Sequence, residues 1–232
     1  MYRYGFYMDP TYLLVLIGLG ISLAASARLK STFAKYSGIG CQSRMTGAET
    51  AARILRAAGI TDVQVRHVSG SLTDHYDPRT KTVNLSDPIY TKSSIAAVGV
   101  AAHECGHAIQ HAQGYAPLSL RSALVPVVNI GSSLSWPIFL VGLMVSNQML
   151  CMAGIILFSL AVAFQLVTLP VEFKASHRAL QMLERVGILG EDENYGARKV
   201  LTAAALTYVA SLLQSLLQLL RLIMIANSRR RK

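Results

Sequence analysis

His103-Glu104-Cys105-Gly106-His107 is an H-E-x-x-H sequence. On a helix, residues four apart lie on one face one turn apart. Both imidazoles can then reach a single zinc ion while Glu104, on the neighbouring flank, faces the water such an ion holds. The chemistry this permits is metal-assisted hydrolysis with Glu104 as general base. A catalytic zinc keeps three protein ligands and leaves the fourth position to water. His111 shares the face, but at about 1.5 Å of rise per residue it stands roughly 12 Å from His103, too far to share one ion. The longer pattern that supplies a third histidine needs Gly at 110 and His at 113, and the chain has Gln110 and Gln113. Between Glu104 and Glu172 there is no Asp or Glu, so Glu172 is the first carboxylate available downstream. It follows Pro170, read as an early residue of a helix running to about Val186. At that place Glu172 is either a third ligand or a negative charge favoured near a helix N-terminus. Should it not serve, Asp74, Asp77 or His75 is next in line.

The elements that position these residues can be read around them. Ser93 or Ser94 can cap a helix whose alanine-rich body runs to Gln113, before Gly114 and Pro117 end it. On this helix Gly106 leaves the metal side uncrowded. Upstream, Thr46-Gly47-Ala48-Glu49 is a capping box for a helix over about 46–58, with Gly59 as the stop. Val63 to Val68 alternates like a half-buried strand, Thr82 to Leu85 is another, and Asp77-Pro78-Arg79-Thr80 reads as the turn of a hairpin. The Thr82–Leu85 strand is the expected edge for pairing an extended substrate. His177 and Arg178 are candidate oxyanion donors, Arg178 being equally a membrane-flanking charge.

The rest of the chain sets the surroundings. Of 232 residues 52% are apolar and only 15% charged, against about a quarter charged in soluble domains. This composition excludes disorder. The net charge of +10 suits a polytopic membrane protein with Lys and Arg at its edges, and aromatic–basic interleaving of the nucleic-acid kind is absent. Cys41, Cys105 and Cys151 match no metal or redox spacing and imply no disulfide framework. Uncharged stretches of 18 residues lie between Asp9 and Arg28, 50 between Arg121 and Glu172, and 21 between Lys199 and Arg221. A span needs roughly 20 such residues. We read four spans, near 11–27, 124–145, 149–169 and 200–226, the middle two joined at Ser146-Asn147-Gln148. The first is read as an uncleaved anchor, because Arg28, Lys30 and Lys35 follow it. Segment 28–121 carries 11 Lys/Arg and 6 Asp/Glu and segment 172–199 five of each. Two spans separate these segments, which places them on one side, and their basic flanks make that side cytoplasmic. The tail Arg229-Arg230-Arg231-Lys232 dissents.

The resulting organisation is an anchor at 1–27, a catalytic α/β segment at 28–121, a transmembrane hairpin at 122–171, a glutamate-bearing helix at 172–199, and a last transmembrane helix with a basic tail at 200–232. The fold class is α+β, a polytopic α-helical membrane protein carrying a small hydrolytic domain. Intramembrane cleavage of the type that takes an Asp ligand from a later span is excluded, since no Asp occurs between Asp87 and Asp192. A non-catalytic membrane scaffold retaining a zinc site is the alternative, disfavoured because structural zinc sites are usually closed by four Cys/His ligands.

Asp74-His75-Tyr76-Asp77-Pro78, Ala101 to Ala112 and Leu169-Pro170-Val171-Glu172-Phe173, with Ala175 and Ser176, together with the first anchor and later spans, resemble the YugP family of bacterial membrane zinc metallopeptidases. The likeness covers nearly the whole chain. More distantly the chain is similar to HtpX-type membrane proteases with a minigluzincin-like core. The resemblance implies Zn²⁺ held by His103, His107 and Glu172, Glu104 as the catalytic base, protein or peptide substrates, a multi-pass place in the plasma membrane and no nucleic-acid partner. The HtpX-like relatives tend to have Asp four residues after the ligand Glu. Here that position is Ser176, so a supporting carboxylate from that helix is in doubt.

Overall fold

The structure is a computed structural model that describes residues 10–230. Residues 1–9 of the expected anchor, and Arg231 and Lys232 of the basic tail, lie outside the described residues. In chain order the elements are α1 (Tyr12–Ser37), α2 (Gly47–Ala57), β1 (Gln64–Val68), β2 (His75–Asp77), β3 (Thr82–Ser86), α3 (Asp87–Tyr90), α4 (Ile95–Ala112), α5 (Ala116–Met144), α6 (Gln148–Arg185) and α7 (Glu191–Arg230). The chain is mostly helical, with one three-stranded sheet. Two compact units emerge. One is Ala25–Ser122 with Val167–Thr207, and the other comprises, of the described residues, 10–24, Ala123–Leu166 and 208–230.

In the first unit, helix α2 begins as its capping box dictates. The Glu49 amide donates to Thr46 Oγ1 at 3.2 Å, and Glu49 Oε2 accepts from the Thr46 amide at 2.8 Å. Gly59, at φ +73°, ends it in a left-handed conformation that costs glycine nothing. The sheet order is β1-β3-β2, with β1 parallel and β2 antiparallel to β3. The hairpin forms as the turn residues predict. The Thr82–Leu85 strand, expected as an edge, is central: β1 and β2 occupy both its sides, so no row of its amides remains for a substrate. Asp74 fastens the entry to β2 by accepting from the Ser86 amide at 2.7 Å and the Ser86 hydroxyl at 2.8 Å.

Helix α4 lies inside this unit. Its N-cap Ser94 Oγ accepts from the Ala97 amide at 3.2 Å, and 14 of its 18 residues are buried. Ile54 and Leu55 of α2, Val83 and Leu85 of β3, and Leu183 of α6 share its core. A Cβ added at Gly106 would stand 2.5 Å from the Ala175 carbonyl oxygen. That glycine lets α4 and α6 meet backbone to backbone, a role other than the expected clearance around an ion.

In the second unit, buried positions on α5 fall at 128, 131, 135, 139 and 142, one narrow stripe at helical spacing. Gly142 and Gly154 close the contact between α5 and α6: added Cβ atoms would reach the Cys151 amide nitrogen at 2.6 Å and Phe139 Cβ at 2.7 Å. The joining turn has Ser146 at φ +55°, and Asn147 Oδ1 accepts from the amides of Met149 at 2.9 Å and Leu150 at 3.2 Å. Outside the stripe large apolar side chains are exposed, Ile130 and Ile156 among them. Four helices, α1, α5, α6 and the body of α7, are long and apolar enough to cross a membrane.

Three helices outrun their expected limits. α1 continues from 27 to Ser37, α7 starts at Glu191, and α6 passes through Pro170 without a break. Charges end an apolar run but do not end a helix, and Glu191, Asp192 and Glu193 favour the start of α7 by opposing its dipole. Pro170 removes one helical hydrogen bond, a loss long apolar helices tolerate. Glu172 therefore stands in mid-helix, where there is no N-terminal dipole for it to satisfy.

Candidate metal centre

The site lies wholly in the unit that contains α4. His103 and His107 project from one face of that helix, their rings edge to face with centroids 4.8 Å apart. The α4–α6 approach at Gly106 and Ala175 carries Glu172, three residues before Ala175, to the same place. Ligand-capable atoms of His103, His107 and Glu172 all lie within 4.8 Å of one another, and among the described residues no other group of three His, Cys, Asp or Glu does so. Glu172 Oε2 is 3.2 Å from His103 Nε2 and 3.6 Å from His107 Nε2. Its other oxygen, Oε1, pairs with Arg121 Nη1 at 3.1 Å. Only 2% of the Glu172 side chain is exposed, and a carboxylate so buried is costly unless compensated. Arg121 engages one oxygen and leaves the second to the imidazoles.

The hydrogen-bond pattern orients both rings and fixes the Nδ1 proton of one of them. Gln110, fully buried, approaches the Val171 carbonyl at 2.8 Å with Nε2 and His107 Nδ1 at 3.0 Å with Oε1. A backbone carbonyl only accepts, so the amide nitrogen must face it and the oxygen must face the ring. His107 Nδ1 therefore carries a proton, and Nε2 is the ring atom that faces Glu172 and is left to serve as a ligand. At the other ring, Ser176 Oγ lies 3.1 Å from His103 Nδ1. Ser176 thus occupies the supporting role for which the resemblance raised the question of a carboxylate. Both rings are oriented from behind, the arrangement metal-binding imidazoles use.

Glu104 is buried beside His103. Burial pushes its carboxyl up to about 7; the nearby His103 works against this, the Glu172 and Asp74 charges add to it, and a hydrogen bond from the Tyr76 backbone opposes it. A carboxyl poised near neutrality can both take and return a proton. The Tyr76 contact connects Glu104 to strand β2, an edge of the sheet. Burial likewise pushes the Cys105 thiol far above its ordinary range, and its Sγ donates to the Ala51 carbonyl at 3.6 Å, so this cysteine packs and does not react.

Other expected participants are engaged elsewhere. Arg178 donates to Gln113 Oε1 at 2.6 Å and lies over the Tyr115 ring, while His177 is exposed. Asp77 caps its own turn through the Arg79 amide and the Thr80 hydroxyl, and His75 bonds the Thr73 carbonyl. His111 bonds the Tyr76 hydroxyl at 2.8 Å. Burial, with the charges of Asp62 and Asp77, pushes that phenol up to about 12, so it remains protonated at neutral pH. Sequence reasoning missed Arg121 and Gln110, and noted the Ser176 position only for the carboxylate it lacks. Gln110 follows His107 by three residues and Ser176 follows Glu172 by four, spacings at which a polar side chain on a site helix can reach its neighbours. Arg121 carried no such signal.

Comparison with known proteins gives the same direction. A family model described as "Putative neutral zinc metallopeptidase" matches residues 11–227. A protein named "Putative membrane protease YugP", from Bacillus subtilis (strain 168), is 51% identical over 212 residues, covering 91% of this chain and 94% of that protein. No solved structure matches.

Proposed function

The chain belongs to the YugP family of zinc metallopeptidases, and from that premise we propose that it is a membrane-inserted peptidase that cleaves peptide bonds of protein or peptide substrates. The observation that carries this reading is the convergence of two imidazoles and one carboxylate within 4.8 Å, next to a buried glutamate on the same helix. The donor set fits zinc: two imidazole nitrogens held by partners behind their rings, one carboxylate oxygen free of its arginine, and, among the described residues, no fourth protein ligand to close the site. His103, His107 and Glu172 would hold the ion, within a gluzincin-like core. Bound there, zinc supplies Lewis acidity toward a peptide carbonyl and makes water nucleophilic at neutral pH.

The chain's own residues do the rest. The Glu104 carboxylate takes the proton of the attacking water and delivers it to the departing amine, a task suited to its raised affinity for protons. Gln110 and Ser176 would keep the imidazoles turned toward the ion, and Arg121, paired with one oxygen of Glu172, aligns that carboxylate. Strand β2, whose Tyr76 backbone touches Glu104, offers an edge along which an extended peptide can pair by main-chain hydrogen bonds. Four apolar helices support insertion in the plasma membrane, and the Lys/Arg flanks of 28–121 and 172–199 support a cytoplasmic site.

The test is Glu104→Gln in the purified full chain, measured for zinc content and peptide cleavage in detergent. The variant should keep its zinc and lose activity by about 100- to 10,000-fold. Undiminished cleavage overturns the proposed base. A wild type with full zinc and no cleavage of any peptide offered would favour the scaffold alternative.

A further inference from the structure

A second polar site lies in the same unit, formed by the end of α1 and the start of α7. On α1, Arg28, Ser31, Thr32 and Lys35 recur at i, i+3, i+4 and i+7 and so share one helix face. On α7, Tyr195, Arg198, Lys199 and Thr202 repeat the same spacing. The two faces line an open pocket of about 410 Å³. Four cations line it and no acidic residue does; Glu184, Glu191 and Asp192 line a neighbouring cavity that shares Tyr195 and Arg198 with this one.

These cations have no anionic partner. None of Arg28, Lys35, Arg198 and Lys199 makes an ion pair among the described residues. The two lysines rest over tyrosine rings, Lys35 Nζ at 5.4 Å from the Tyr36 centroid and Lys199 Nζ at 4.7 Å from the Tyr195 centroid. Such contacts orient an ammonium without neutralising it. The walls are packed. A Cβ at Gly196 would come within 2.8 Å of the Tyr36 ring, so α1 and α7 touch here, and Phe33 and Tyr36 rest on the core that includes Ala197 and Leu201. Like charges lining one pocket repel one another, and a bound counter-charge relieves that repulsion.

Position along the chain points to the source of that counter-charge. The uncharged 18-residue run of α1 ends at Arg28, and the uncharged 21-residue run of α7 begins after Lys199. In a membrane-inserted chain both places are headgroup level, where basic pockets between helices bind anionic lipid. We infer that this pocket, resting on the membrane-inserted reading above, binds a phosphate-bearing anion, supplied by the headgroup of an anionic phospholipid. Arg28, Lys35, Arg198 and Lys199 contact the phosphate, and the hydroxyls of Ser31, Thr32 and Thr202 are placed to donate to its oxygens.

The experiment uses the purified full chain in neutral detergent, with phosphatidylglycerol, phosphatidylcholine and inorganic phosphate as separate probes and retained ligand read by native mass spectrometry. Near an anionic surface each cation contributes roughly fivefold in affinity, so Arg198→Gln/Lys199→Gln should weaken phosphatidylglycerol binding by about 30-fold. Arg79→Gln/Lys81→Gln, on the hairpin and of equal charge change, should bind as wild type. Phosphatidylcholine, whose choline already balances its phosphate, should be poorly retained. Peptide cleavage in detergent should be unchanged in both variants, which verifies folding. Equal phosphatidylglycerol retention in all three proteins, or equal retention of both lipids, overturns the site. Inorganic phosphate retained in place of lipid, and lost in the pocket variant alone, overturns the lipid source. Alkaline carbonate extraction of membranes tests insertion separately, because release of the wild type there defeats the membrane reading whatever the pocket binds.

Discussion

Helices α4 and α5 are both apolar, and they dispose of their side chains in opposite ways. α4 buries 14 of its 18 residues and builds its surface from alanine and glycine, so that α2, α6 and α7 can approach its backbone. α5 buries one stripe and leaves Ile130, Leu134 and Val141 exposed. Apolar content alone does not distinguish a helix covered by protein from one with exposed apolar faces; side-chain size does. Small residues are needed where neighbouring backbones must come close, and large ones suffice where the neighbours are acyl chains. The difference also locates the chemistry. α4 can hold two imidazoles and a carboxyl away from water because other elements cover it, whereas the described part of α5 beyond Arg121 carries no titratable group.

Truncation at matched isoleucines is the strongest way to break this contrast. Ile54→Ala, in the core packed on α4, should cost about 2–5 kcal/mol by transfer and cavity terms. Ile130→Ala, exposed on α5, should stay within about 0.5 kcal/mol in detergent. Denaturation of the two variants checks this, and similar losses would mean that the α5 surface is packed against something after all.

The glycines sharpen the comparison at lower amplitude. Gly106→Ala and Gly142→Ala each force a Cβ against backbone, on Ala175 and Cys151 respectively, and each should destabilise by about 1–3 kcal/mol. Only Gly106→Ala should also lower zinc affinity, because it displaces the helix bearing Glu172. Loss of zinc from Gly142→Ala would show that the α5–α6 contact also sets the site.

Smaller still are the residues behind the imidazoles. Gln110→Ala leaves the His107 Nδ1 proton without its partner, and zinc affinity should fall by about 10- to 100-fold. Ser176→Ala should lie at the lower end of that range, its site being less buried. Competition with a chromogenic chelator measures both; unchanged affinity in Gln110→Ala would remove the tautomer argument.

Much of this was legible in the sequence because it depends on local spacing. The Thr46–Glu49 cap, the Asp77–Thr80 turn, the Ser94 start of α4 and the pairing of His103 with His107 all involve residues within a few positions of each other. What was not legible depends on distant pairing. The parallel contact of β1 with β3 moved Thr82–Leu85 from edge to centre, and nothing local encodes it. Arg121 read as a membrane-flanking charge because its partner Glu172 lies 50 intervening residues away. Pro170 read as a helix start because local chemistry favours one there, and the cost of continuing through it is a single hydrogen bond. Charges bounded the apolar runs but not the helices that contain them, since Arg28 to Lys35 extend α1 without being apolar.

The account rests most heavily on Glu172, the residue that joins α6 to the two histidines of α4. Zinc stoichiometry of the full chain after dialysis tests it most directly, comparing wild type with Glu172→Gln and with Glu184→Gln, further along the same helix. The account predicts close to one zinc per chain in wild type and Glu184→Gln, with zinc and peptide cleavage lost together in Glu172→Gln, because a two-histidine site holds zinc weakly. Full zinc occupancy in Glu172→Gln, or equal loss in Glu184→Gln, would contradict it.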